Sequence, residues 1–218
     1  MYYSLNAIIL NRASFREDDL AVTAYSQEHG KITLVARGAK KIKSKLAGHL
    51  EPVSLSFLEV ARGKTRDQLI GAQIIKSYAG IKNDILKTAY ANYFLELLDE
   101  LTFENHADRR VFVLTQKYLD FLDRANYNDL VIGRIVVVFK LLALLGFNPV
   151  HKALGLKNEI NYLVARGLGE IRKNKKIILA LSQLDKILKQ ELEEHLRTEL
   201  KSEEFLRSVV ILNPVATG

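Results

Sequence analysis

The 218-residue sequence predicts an α+β, multi-domain protein: a small five-stranded barrel followed by an all-helical region. Three observations carry this. Up to about residue 80 the apolar residues come in short runs, some alternating, separated by Gly and charged turns, as strands of a small barrel do. Beyond that point apolar residues recur every third or fourth position, the spacing of helices. The charge changes at the same place. Residues 1–80 hold twelve Lys and Arg against seven Asp and Glu, and the remainder holds twenty against eighteen. The expected division is 1–80 and 81–218.

The strands follow in order. Asn6–Asn11 is a short apolar run. Leu20, Val22 and Ala24 alternate with Ala21, Thr23 and Tyr25, and His29-Gly30 marks the turn before Ile32–Ala36. Val53–Val60 is rich in apolar and β-branched residues, Gly63 sits in a hairpin turn, and Leu69–Ile75 is the fifth run. Five such strands suit an oligonucleotide-binding (OB) barrel, whose open face takes single strands. An SH3-like barrel would give almost the same pattern.

In the second region Asn83 or Asp84 can cap a helix running to about Phe103, with Ile85, Ala89, Tyr93, Leu97 and Leu101 on one face. Further helices are expected over about Asp108–Arg124 and Asp129–Leu145, the latter ended by Gly146. The Ile135–Phe139 run is apolar almost all round, as in the central helix of a bundle. A long helix is expected from about Lys176 to Lys201, and Val209–Leu212 reads as a short apolar tail before Pro214.

The most telling local feature is Gly30–Leu50. Lys31, Arg37, Lys40, Lys41, Lys43 and Lys45 fall within it, and no carboxylate interrupts them before Glu51. A strand that delivers a flexible positive loop suits a polyanion lying across a sheet, and nucleic acid is the commonest such polyanion. The plainer alternative is a solvated basic loop. Arg37 continues the strand and is expected to have a fixed direction, whereas the lysines are expected to act as mobile point charges. Tyr2, Tyr3, Phe15, Tyr25 and Phe57 are the aromatics available for stacking on bases, Phe57 reading more as core. A second basic group, Arg166, Arg172, Lys173, Lys175 and Lys176, follows the Gly167-Leu168-Gly169 turn and reads either as a solvated loop or as a second strand-holding contact.

Several classes are disfavoured. There is no cysteine, so there is neither a disulfide framework nor a thiolate metal site, which fits a reducing compartment. The longest apolar stretch, Val131–Phe147, carries Arg134 and Lys140 and is short for a membrane span. Met1–Asn11 lacks the basic start of a targeting segment. A soluble cytoplasmic protein is expected. Gly63-Lys64-Thr65 mimics the end of a phosphate-binding loop, but Leu58 stands where that loop needs its first glycine. The histidines are scattered, and His195 four residues after Glu191 reads as a surface pair. No catalytic site assembles, so no enzyme and no cofactor are expected.

Several separated blocks resemble the bacterial recombination mediator family RecO. Arg16–Thr23 resembles its "E-x-D-x-L-V-T" stretch, and Glu28-His29-Gly30-Lys31 resembles its "T-x-x-x-G-K" turn. Val35–Lys41 with Ser44-Lys45-Leu46 resembles "V-A-[RK]-G-[AV]-[RK]-[RK]-x-x-S-x-L", and Leu50-Glu51-Pro52 resembles "L-Q-P". Leu144–Pro149 resembles the helix end before the family's zinc-binding insert, and Glu199–Ser202 resembles an "L-K-S" tag at a last helical turn.

The resemblance implies an OB barrel and a helical domain that bind single- and double-stranded DNA, anneal complementary strands and, with the partner RecR, help load recombinase onto DNA coated by single-strand DNA-binding protein (SSB). It also implies a departure. The four cysteines that many members carry after Gly146 are missing, and His151 stands alone, so residues 147–175 are read as a metal-free remnant of the insert. Expected DNA contacts are Arg37, Lys40, Lys41, Lys43 and Lys45, joined by Lys31, Arg172, Lys173, Lys175 and Lys176. Arg109, Arg110, Arg134 and Lys140 are candidates to attract an acidic partner peptide, Arg134 and Lys140 alternatively forming the polar side of a buried helix. The runner-up reading is a protein-interaction adaptor that docks the acidic tail of SSB with little direct DNA binding, and a third is an RNA-binding barrel protein.

Overall fold

The computed structural model describes residues 1–147 and 155–212; His151 lies outside them. Strands β1 (Tyr2–Ser14), β2 (Leu20–Ser26), β3 (Gly30–Ala36), β4 (Ser54–Ala61) and β5 (Gln68–Lys76) close into a barrel in the order β1-β2-β3-β5-β4. All pairings are antiparallel except the short β3–β5 contact at Val35–Gln68 and Ala36–Leu69. This is the five-stranded OB barrel, so the SH3-like alternative falls away.

β1 is twice the length its apolar run suggests, because it serves two neighbours. Tyr2–Ile9 pair with β4, Ala7–Ser14 pair with β2, and a register shift between Ile9 and Asn11 bends the strand from one to the other. The unbroken Ala7-Ile8-Ile9-Leu10 run has its cause in burial on both faces. Ala7 and Ile9 join Leu34, Leu58 and Val60 inside the barrel, while Ile8 and Leu10 join Tyr25, Val53 and Leu55 in the core shared with the helices.

Eight α-helices follow among the described residues: α1 (Ala79–Lys82), α2 (Ile85–Leu101), α3 (Arg109–Arg124), α4 (Leu130–Leu144), α5 (Lys157–Ala165), α6 (Leu168–Ile171), α7 (Lys175–His195) and α8 (Lys201–Leu212). Asp84 caps α2 by accepting from the Lys87 N–H at 3.0 Å, and Asp108 caps α3 by accepting from the Arg110 N–H at 2.7 Å. α4 packs against α2, α3, α5 and α7, which explains why Ile135–Phe139 is apolar all round.

Barrel and helices meet closely at the β2–β3 turn. Gly30 has φ +67°, and a Cβ there would come within 2.1 Å of the His106 carbonyl oxygen. Next to it the Asn105 N–H donates to the Lys31 carbonyl at 2.9 Å.

The C-terminal part departs from expectation. The helix expected to reach Lys201 stops at His195, and Leu196 turns extended at ψ 134°. Leu196 and Leu200 continue the every-fourth-residue spacing of Leu188 and Leu192, and no Gly or Pro stands there, so the break carries no local signal. The Leu200-Lys201-Ser202 tag opens α8 rather than ending a helix, and Val209–Leu212 is the last turn of α8, not a tail. His195 and Glu191 do pair, at 3.1 Å, but Glu191 is buried and the His195 ring lies 4.1 Å from that of Phe147, so the pair is internal.

Glu96 on α2 holds the start of α8. Its carboxylate accepts from the Lys201 N–H at 3.2 Å and the Ser202 N–H at 2.8 Å, and also from the Ser202 hydroxyl. Those N–H groups have no partner within their own helix. Glu96→Ala is expected to cost about 1–2 kcal/mol, the upper range for a lost cap. Urea unfolding and faster proteolysis around Leu196–Ser202 would register it, and an unchanged midpoint would contradict it.

Candidate nucleic-acid interface

Three loops converge at one end of the barrel: 15–19 between β1 and β2, 37–53 between β3 and β4, and 62–67 between β4 and β5. In an OB barrel the first and last of these are the loops that contact oligonucleotides. Together the three carry Arg16, Arg37, Lys40, Lys41, Lys43, Lys45, Arg62, Lys64 and Arg66 against Glu17, Asp18, Asp19, Glu51 and Asp67.

The 15–19 loop is the junction. Its turn closes when the Phe15 N–H donates to the Asp19 carbonyl at 3.1 Å. Towards the 37–53 loop, Asp19 accepts from the Gly38 N–H at 2.8 Å, and the Asp18 carbonyl accepts from the Lys40 N–H at 3.0 Å. The Lys40 ammonium donates to the carbonyls of Arg16 and Glu17 at 2.8 and 2.9 Å, and Lys41 lies 3.5 Å from Asp18. Lys40 is therefore a staple between two loops, and the expectation that it acts as a mobile point charge is corrected. β3 ends at Ala36, so Arg37 opens the loop instead of continuing the strand. Arg37, Lys43 and Lys45 are exposed.

Towards the 62–67 loop the link is an aromatic ring. The Arg66 guanidinium lies 5.0 Å from the centre of the Phe15 ring and that of Arg16 lies 5.4 Å from it. The loop is wound tightly: the Gly63 N–H donates to Asp67 at 3.0 Å, and a Cβ on Gly63 would stand 2.0 Å from the Arg66 carbonyl oxygen. Gly63-Lys64-Thr65 is thus a hairpin turn. The Tyr3 hydroxyl donates to Asp67 at 2.6 Å, and burial followed by that carboxylate raises the phenol above its ordinary pKa. A cleft of about 510 Å³ opens beside this loop, lined by Thr33, Leu34, Gly63, Thr65, Arg66 and Glu104 among others. The pairing of Arg16 and Arg66 with the Phe15 ring, and of Arg62 with the Tyr3 ring at 5.8 Å, is absent from the expected contacts. Its signal was there, as basic residues in the two loops that OB barrels use.

Other expected site residues lie elsewhere. Lys31 is not in the loop assembly. Its ammonium donates to the Asp99 carbonyl at 2.5 Å and lies 3.1 Å from the Asp99 carboxylate, tying β3 to α2. Arg172 pairs with Asp129 at 2.5 Å beside the start of α4. Lys173, Lys175 and Lys176 are exposed around the cap of α7, where Asn174 accepts from the Lys176 N–H at 3.1 Å. No hydrogen bond or ion pair among the described residues joins this group to the barrel loops.

Of the four candidate partner cations, two are structural. Arg134 is largely covered and pairs with Asp185 at 2.6 Å, with its guanidinium 5.7 Å from the Tyr93 ring centre. Burial pushes the Tyr93 phenol up to about 12. Lys140 donates to the carbonyls of Val164 and Arg166 at 3.1 and 2.7 Å and so caps the end of α5. Burial, then the charge of Lys117, lowers its pKa. Arg109 is exposed, and Arg110 folds back on Asp108 at 2.7 Å, which holds that carboxyl below its ordinary pKa. Among the described residues no group of three or more His, Asp or Glu could hold a metal ion, and no helix is long and apolar enough to cross a membrane.

An OB barrel with a cationic loop end, followed by a helical region, defines the class. The chain matches the family descriptions "Recombination protein O N terminal" over residues 1–78 and "Recombination protein O C terminal" over residues 82–153. It is 32% identical over 149 residues to the DNA repair protein RecO of Syntrophomonas wolfei subsp. wolfei, covering 68% of this chain and 59% of that protein. It is 35% identical over 142 residues to the DNA repair protein RecO of Listeria welshimeri, covering 65% and 55%. The chain belongs to the RecO family of DNA repair proteins. The matches span less than two thirds of the length of these relatives.

Proposed function

We propose that this chain is a non-enzymatic DNA-binding recombination mediator. Its barrel binds single- and double-stranded DNA, it anneals complementary strands, and with RecR it assists recombinase loading on DNA covered by SSB. It works in the cytoplasm at the nucleoid, with residues 1–80 as the DNA-binding domain and 81–218 as the helical domain. The observation that supports this best is the convergence of three loops carrying nine Lys and Arg at one end of the barrel.

The affinity rests on displacing counterions from phosphates. Arg37, Lys43, Lys45, Arg62 and Lys64 are exposed and are not held by a carboxylate among the described residues. They are the phosphate contacts of this reading. Lys41 joins them when it lets go of Asp18, and Lys173, Lys175 and Lys176 offer a second strand a place to lie. Neutralising two backbones on one protein is the simplest route to annealing. The partner surface on the helical region narrows to the exposed Arg109 and Arg110, since Arg134 and Lys140 are engaged internally.

The test is fluorescence anisotropy with labelled single-stranded DNA across a salt series. Five phosphate contacts are expected to give a slope of log K against log salt of roughly −3 to −4, at about −0.7 per contact. Absence of binding at low salt would transfer the function to protein partners alone.

A further inference from the structure

We infer that Phe15 is a stacking station for an unpaired base, which gives the barrel end one contact that only single-stranded DNA makes. The inference rests on the DNA-binding reading and deepens it.

Phe15 is 36% exposed at the head of the β1–β2 loop. Its backbone is held by the bond from its N–H to the Asp19 carbonyl, and Asp19 and Asp18 are in turn tied to Gly38 and Lys40. A large apolar ring is thus kept half in water on an anchored turn, with the guanidiniums of Arg16 and Arg66 as ring neighbours at 5.4 and 5.0 Å. Both arginines have long, mobile side chains and are exposed. A guanidinium on an exposed ring is held weakly, and every nucleobase has a flat face that stacks on an aromatic ring more strongly. The exchange is therefore favourable: a base takes the ring, and the released arginine moves to the adjoining phosphate, where it can bind in bidentate fashion.

The neighbouring charges set the orientation. Past Arg16 the β1–β2 loop carries Glu17, Asp18 and Asp19, which repel a phosphate, while Arg66 reaches the ring from the β4–β5 loop, which also carries Arg62 and Lys64 and attracts one. A strand consequently lays its backbone along the β4–β5 loop and turns bases towards Phe15. An unpaired strand can do this at no cost in base pairs. A duplex shows phosphates outward and keeps its bases stacked on each other, so it reaches the lysines but not the ring.

The chain contains no tryptophan. Phe15→Trp therefore places a single reporter at the site. Its emission is expected to be quenched saturably by an oligothymidine and left unchanged by a duplex at concentrations where anisotropy shows the duplex bound. Phe15→Leu is expected to weaken single-strand binding about 5- to 150-fold, the range for one lost base stack. Its salt slope should stay unchanged, because stacking releases no counterions, and duplex affinity should hold. Equal quenching by both forms, or parallel loss of both affinities in Phe15→Leu, would overturn the inference while leaving the DNA-binding reading in place. If the unaltered protein binds neither form, both readings fall. Should Phe15→Leu not fold, the quenching of Phe15→Trp alone decides.

Discussion

Replacing Arg37, Lys43 and Lys45 together by Ala is expected to weaken single-stranded DNA binding and to flatten its salt dependence. With five phosphate contacts at about −0.7 each, affinity falls about 130-fold between 50 and 200 mM salt. With two contacts it falls only about sevenfold. The three side chains are exposed and make no hydrogen bond or ion pair within the described residues, so their removal touches charge without touching fold. Lys40 and Lys41 look equivalent to them in sequence but are poor probes. Reversing Lys40 would aim a carboxylate at the carbonyls of Arg16 and Glu17, and reversing Lys41 would set one beside Asp18. Binding lost in such a variant would report a broken junction between loops as readily as a lost phosphate contact. A triple variant with the slope of the unaltered protein would move DNA off the 37–53 loop.

Much of the fold is legible in the sequence because its causes are local. The change of apolar period near residue 80, the capping carboxylates Asp84 and Asp108 and the all-round apolar α4 are each written within a few residues. What the sequence conceals is set by distant partners. After the break at Leu196 the chain restarts as α8 on a cap supplied by Glu96 from another helix, and the spacing of Leu residues runs through it undisturbed. Lys31, Arg134 and Lys140 carry the same charge as the loop cations, and only their partners, Asp99, Asp185 and two carbonyls at the end of α5, remove them from the surface chemistry. The Phe15 constellation is hidden for the same reason. Arg66 belongs to another hairpin, and only barrel closure brings it to the ring.

Asp185→Ala is expected to be the most destabilising single change among those considered, at about 3–5 kcal/mol, because it leaves Arg134 buried and uncompensated. The Arg134 side chain is 12% exposed, and its guanidinium lies 2.6 Å from Asp185. Tyr93 lies against it, and neither it nor the nearby Tyr90 and Tyr118 can supply a negative charge at working pH, since burial raises all three phenols. The pair joins α4 to α7, so the cost falls on the packing of the whole helical region. Urea unfolding at unchanged m-value measures it directly. Replacing both partners by apolar residues of similar size, Arg134→Met with Asp185→Leu, is expected to recover most of the loss, since desolvation of an ion pair offsets most of its attraction. That recovery separates a structural pair from a functional one. If Arg134 serves only to dock α7, the double variant keeps both its stability and its DNA and partner binding. If the double variant folds but fails to capture an acidic peptide that the unaltered protein binds, Arg134 returns to the list of partner contacts. A loss below about 1 kcal/mol in Asp185→Ala would show the pair to be solvated, and with it the α4–α7 contact to be looser than a buried ion pair requires.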